Sequence, residues 1–199
     1  MMDRMARGAL LLVLLFLGGC GRVHYQDPGI GAKGDSLPYA SIHDDYSDRV
    51  LLLKKDLESL GNNVDDKEAF TIADTAIRFS MVLANRNELV RPPLLHNHLV
   101  NTGKKKRGLC YHWIEDLMKR FREIDQNSFD FHCGIAYPNS SLTITHSTLI
   151  ICAKGQAFED GIVLDPWRDS GRLYWAPVKK DTYPWQQEPA QIERALLGK

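Results

Sequence analysis

The chain has 199 residues, with 25 basic and 25 acidic side chains and a hydrophobic content of 44%. That length supports one domain with a core of its own, plus tails. A formal net charge of zero removes the electrostatic case for nucleic-acid binding or for charge-driven adhesion to an anionic membrane.

Residues 1–19 read as an export signal. A start with two arginines, "MMDRMAR", precedes the apolar run "GALLLVLLFL", which is too short to span a bilayer comfortably. The run ends in Leu17-Gly18-Gly19-Cys20, which resembles a bacterial lipobox. Cys20 is then the lipidated residue, and its acyl chains would tether a soluble domain to the membrane. Gly21 stands where an aspartate marks inner-membrane retention in enteric bacteria. The expected location is therefore the cell envelope, on the outer membrane and facing the periplasm. Residues 20–40, rich in Gly, Pro and polar side chains, read as the lipidated cysteine and a flexible tether.

Three helical segments follow. Val50, Leu53, Leu57 and Leu60 share one face of the first. The second opens with Asp65 and Glu68 in capping-box spacing and carries Phe70, Ala73, Ile77, Met81 and Ala84 as an apolar stripe, broken at Pro92-Pro93. His96 and His98 flank what reads as a polar turn. The third helix starts near Cys110, with Trp113, Ile114, Leu117, Phe121 and Ile124 on its apolar face. Glu115–Lys119 and Asp116–Arg120 are spaced as ion pairs on the other face.

The period then changes to two. "FDFHCGIAY" and "SLTITHSTLIICA" alternate, and "GIVLDPW" and "RLYWAPV" are short apolar runs bounded by Gly and Pro. The expected fold class is α+β: N-terminal helices, then a cysteine-bearing helix packed on an antiparallel sheet. The domain is expected over 41–185, with 186–199 as a frayed C-terminal tail.

Setting Cys20 aside leaves Cys110, Cys133 and Cys152, an odd number. A Cys133–Cys152 disulfide is possible in an oxidising compartment. The hairpin turn near Pro138 to Ser141, however, would set Cys133 opposite a residue well before Cys152. Cys110 follows the cationic run Lys104 to Arg107 at a helix start, two features that favour a thiolate. The helix dipole contributes only about 0.3–1 kcal/mol, so a nucleophile also needs a base. Of seven histidines, His112 would point away from the Cys110 face and His132 lies opposite the apolar side of its strand. His146 falls in line with Leu142, Ile144, Thr148, Ile150 and Cys152, where both ring nitrogens need partners. Asp165, at the end of the next apolar strand, can accept the His146 Nδ1–H and hold the ring. Cys110, His146 and Asp165 are thus candidate nucleophile, base and orienter.

The stretches "GLCYHW", "THSTLII" and "VLDPWR", within residues 108–168, resemble the transglutaminase-like division of the papain-like cysteine enzymes. The resemblance implies acyl transfer through a thioester, either amide hydrolysis or cross-linking to an amine. It implies a peptide or protein substrate, no cofactor, and an oxyanion hole that includes the Cys110 N–H. Tyr111 replaces the usual Trp after the nucleophile. No "DCSG" and no calcium-loop pattern occurs, and the Cys–His separation is much shorter than in papain-type proteases. Trp113, Trp167 and Trp175 are candidates to line an acyl site or to pack the core.

Two other readings compete. One is a non-catalytic binding or scaffold lipoprotein on the same fold. The other is a metal site from Cys110, His112 and His132, which lacks the paired spacing that metal ligands use.

Overall fold

The structure, a computed structural model, describes residues 21–25 and 39–198, with the backbone alone for 39–44. The signal segment, Cys20, and residues 26–38 of the expected tether lie outside the described residues. Residues 21–25 are not loose. Val23 N–H donates to the Leu89 carbonyl (2.7 Å) and Arg91 N–H to the Gly21 carbonyl (3.0 Å), while Asn85 exchanges two hydrogen bonds with the Tyr25 backbone. The residue after Cys20 is therefore already bonded to the domain. Among the described residues, no helix is long and apolar enough to cross a membrane.

Helices α1 (Tyr39–Glu58) and α2 (Asp66–Arg86) pack against each other. Val50, Leu53 and Leu57 of α1 are buried as their spacing requires. On α2 the stripe is rotated from the expected one. Ile72, Ala76 and Leu83 join Ala73, Ile77 and Ala84 inside, while Phe70 is 45% exposed. Small alanines on this face let α1 approach closely. Asp65 caps α2 by accepting from Lys67 N–H and Glu68 N–H. The reciprocal half of the expected box is missing, because the Glu68 carboxylate instead accepts from Asn127 and Ser128 N–H and ties the helix start to the approach of β1.

The expected polar turn around His96 is a helix, α3 (Pro93–Asn101), with Pro93 at its first position. Helix α4 (Cys110–Phe121) follows and buries Trp113, Ile114, Leu117, Met118 and Phe121. The sheet is antiparallel, in the order β4-β3-β2-β1-β5, with β1 (Phe129–Ala136), β2 (His146–Ala153), β3 (Ile162–Asp165), β4 (Tyr174–Pro177) and β5 (Gln186–Gln187). Leu149 and Ile151 of β2 and Leu164 of β3 face the helical core, whereas Ile150, Cys152 and Val163 pack on the other face with Phe158 and Val178. A strand covered on both sides explains why "LIICA" reads as a continuous apolar run.

Two expectations about this half are corrected. Strand β2 begins at His146, and the alternation in "SLTIT" belongs to an exposed loop with Leu142 at 94% and Ile144 at 56% exposure. Strand β1 ends at Ala136, opposite His146, so residues 142–145 have no partner backbone. The C-terminal segment is not frayed. Strand β5 pairs with β1, and α5 (Ala190–Leu197) packs on α4 and β1 with Leu197 fully buried. Cys133 stands opposite Leu149 and Cys152 opposite Asp130, so no disulfide joins them.

Candidate active site

Cys110 is the first residue of α4, and its N–H belongs to the opening turn that lacks intrahelical acceptors. Three aromatic or imidazole groups fix this turn. His112 Nδ1 accepts from Gly108 N–H and Leu109 N–H, both at 3.2 Å. Trp113 Nε1–H donates to the Gly108 carbonyl. His96, buried, bonds the Arg107 carbonyl through Nε2 at 2.9 Å and accepts from Val90 N–H through Nδ1. Burial lowers the pKa of both His96 and His112, so these two are neutral supports. Two of the four cations before Cys110 are engaged elsewhere. Lys105 pairs with Glu88 and Arg107 with Glu115 and Asp116, so the expected Glu115–Lys119 and Asp116–Arg120 pairs are replaced.

The three predicted residues meet. Ile150 lies opposite Val163, and counting by twos along each strand puts His146 and Asp165 on one sheet face. The His146 Nε2 and Asp165 Oδ2 are 2.7 Å apart, with the two side chains 2% and 1% exposed. Cys110, half-buried, lies near enough to the same imidazole to act on its charge. Nε2, rather than the expected Nδ1, is the nitrogen turned to Asp165.

Burial alone would lower the His146 pKa, but the Asp165 charge and hydrogen bond, with Cys110 adding to them, raise it from 6.5 to about 9. A raised folded-state pKa means the proton stabilises the fold fully below about pH 6.5, and this stabilisation is lost as pH rises through about 9. The rise corresponds to something on the order of 3 kcal/mol. Urea unfolding at pH 6 and pH 9.5 should therefore show a pH-dependent loss of that order in the parent protein. The loss should shrink strongly in His146→Ala, and equal losses in both would contradict the assignment.

The sequence did not mark the groups behind Asp165. Arg168 donates through its backbone N–H to Asp165 Oδ1 and through Nε to Oδ2, both at 3.2 Å. The two terminal nitrogens grip the Asp181 carboxylate at 2.8 Å each. Its guanidinium also lies over Tyr174 (3.9 Å) and Tyr183 (4.5 Å). Asp181 further accepts from Trp185 Nε1–H. Charges therefore alternate from His146 through Asp165 and Arg168 to Asp181. Trp167, Tyr183 and Trp185 surround the His146 ring at 4.5, 5.3 and 5.5 Å between centroids.

The other singled-out residues lie apart from the triad's reacting atoms. Trp113 packs with Leu83, Ala84 and Leu89. Trp175 donates to Asp56 and stacks under Arg49. Trp167, bonded to Asn97, lies against the His146 ring, and Trp113 and Trp167 share the cluster on which Cys110 packs. His132 faces Glu193. Among the described residues, no three His, Cys, Asp or Glu side chains converge as a metal site. A groove of about 570 Å³ between α2 and α4, edged by charged residues such as Arg86 and Lys119, does not reach the triad. A second cleft, of about 470 Å³, opens against His146.

Comparison with protein-family models, curated proteins and solved structures finds no match.

Proposed function

We propose that the protein is a thiol-dependent hydrolase or acyltransferase with a transglutaminase-like, papain-like arrangement, held at the cell envelope by a lipid on Cys20 and acting on a peptide or protein amide. The observation that carries this reading is the buried His146 imidazole, bonded to Asp165 and under the electrostatic influence of Cys110 at a helix start. Burial of this kind is costly unless every polar group is paired, and here the pairing leaves one reactive atom, the half-buried sulfur, within reach of a substrate.

In this scheme the Cys110 thiolate attacks the amide carbonyl. The oxyanion so formed meets the Cys110 N–H. His146 delivers its proton to the leaving nitrogen, the C–N bond breaks, and a thioester remains. Water or an amine then attacks the thioester, with His146 taking the proton and returning it to sulfur. Asp165 holds the ring and stabilises its charge.

The test is alkylation of the purified protein with iodoacetamide from pH 4 to 9, with the label located by mass spectrometry. Cys110 should react selectively and remain reactive at pH 6. His146→Ala should slow it there by at least about tenfold, since an ion-paired thiolate outpaces a neutral thiol. Ordinary thiol behaviour, indifferent to His146, would leave a lipid-anchored binding domain as the better reading.

A further inference from the structure

In acyl transfer by a Cys–His pair, the sulfur takes the carbonyl side of the scissile bond and the imidazole protonates the nitrogen side. The leaving segment must therefore pass the face of the imidazole. The cleft of about 470 Å³ has His146 in its wall, and Cys110 is not among the residues lining it. Leu94 of α3, Tyr137 at the end of β1, Ile144 of the exposed loop, Trp167 and Tyr183 form the rest of its apolar surface, and Thr143 and Thr182 contribute only hydroxyls. Among the described residues, no Asp, Glu, Lys or Arg lines it.

The nearest carboxylates are not available to a ligand. Asp165 and Asp181 are 1% and 0% exposed, and both are bonded to Arg168. The Tyr183 ring already carries the Arg168 guanidinium at 4.5 Å, so it offers little to a second cation. An ammonium entering here would shed water with no counter-charge to replace it, beside an imidazole that itself carries a proton during the cycle.

We infer that the cleft beside His146 receives the amine side of the scissile bond and selects an uncharged aliphatic or aromatic side chain there over a cationic one. This rests on the proposed thiol chemistry and adds its substrate class. The same site receives the acceptor when a thioester is resolved by an amine, so an acceptor that would place an ammonium in the cleft is a poor one for this protein.

The full chain in detergent micelles is acylated with p-nitrophenyl acetate. The Cys110 sulfur bonds to the acetyl carbon as the C–O bond breaks and p-nitrophenolate departs. Mass spectrometry locates the thioester. At about pH 8, where α-amines are largely free and lysine side chains are charged, the thioester is partitioned among glycinamide, norleucinamide, phenylalaninamide and lysinamide. Each attacks through its α-amine, forming the C–N bond as the C–S bond breaks, with His146 passing the proton to sulfur.

Norleucinamide and phenylalaninamide should be acetylated at least about tenfold faster than lysinamide, the range that pocket contacts of this kind supply. Ile144→Asp puts a carboxylate on the exposed wall and should move the norleucinamide-to-lysinamide ratio about tenfold toward lysinamide. A thioester that forms on Cys110 but partitions without preference, or toward lysinamide in the parent protein, overturns this inference and leaves the thiol chemistry standing. Absence of a Cys110 thioester sinks the thiol chemistry, and the inference with it.

Discussion

Replacing Arg168 with methionine is expected to cost about 3–5 kcal/mol of stability at neutral pH, the usual consequence of removing one partner from a buried charge pair. Methionine keeps the aliphatic stem but takes the guanidinium away from Tyr174 and Tyr183, so the loss reports charge and ring contact together. Two carboxylates depend on this guanidinium, Asp165 at 1% exposure and Asp181 at 0%. Asp181 shows the size of the dependence. Burial pushes its pKa up, yet the hydrogen bonds from Arg168 and Trp185 and the Arg168 charge bring it down to about 2. A depressed carboxylate contributes stability above its unfolded value near 3.8, and that contribution is lost as pH falls through about 2. In Arg168→Met the Arg168 share of this contribution is absent at every pH, and only the Trp185 and Thr182 hydrogen bonds remain to hold the charge. The gap between parent and variant in urea unfolding should be widest near pH 7 and should narrow by pH 3 as Asp181 takes up a proton in the variant. Arg168→Lys keeps one charge but loses the two-pronged grip and the ring stacking, and should fall between the two. A gap below about 1 kcal/mol at pH 7, the level of an exposed pair, would show that the two buried carboxylates do not depend on Arg168.

The parts of this molecule that the sequence discloses are those governed by a local period. The apolar face of α4 and the placement of Cys110 at its head follow from spacing alone, because five large side chains recur on one side. His146 is recoverable as a polar residue in line with apolar strand neighbours, where both ring nitrogens require a partner, and Asp165 as an aspartate at the end of an apolar strand. What stayed hidden is set by distant chain or by context. The alternation of "SLTIT" satisfies a strand pattern, but a strand also needs a neighbour, and β1 has ended by then. Helix α3 hides behind His96 and Asn97, polar residues whose partners, the Arg107 carbonyl and Trp167, lie elsewhere in the chain. Helix α5 carried signals in Pro189 and Gly198, which flank it as cap residues, but its exposed polar surface resembles that of a tail. The link from Arg168 to Asp181 spans 13 residues through a 3-10 turn and has no periodic signature. Which imidazole nitrogen meets the carboxylate is a tertiary property.

Gly108→Ala should be strongly damaging for the addition of a single methyl group. Gly108 has φ +121, a conformation that costs other residues about 1–3 kcal/mol. An added Cβ would lie 2.3 Å from His96 Nε2 and 2.9 Å from Leu89 Cδ2. The imidazole cannot swing aside, because it is 2% exposed and bonded through both nitrogens, so overpacking adds about another 1–3 kcal/mol. The damage falls on the candidate nucleophile. Gly108 N–H is held by His112 and its carbonyl by Trp113, so any shift of this residue is passed to Cys110 two positions on. Gly108→Ala should therefore lose the His146-dependent alkylation of Cys110 even at temperatures where circular dichroism shows the fold intact. The double variant Gly108→Ala/His96→Ala separates the two causes. If the contact with the ring dominates, removing the ring returns part of the stability and of the Cys110 reactivity, and the two substitutions are strongly non-additive. If the backbone dominates, the double variant is worse than either single one, because the Arg107 carbonyl also loses its donor. A Gly108→Ala protein as stable and as reactive as the parent would mean that this turn does not set the position of Cys110 against His146.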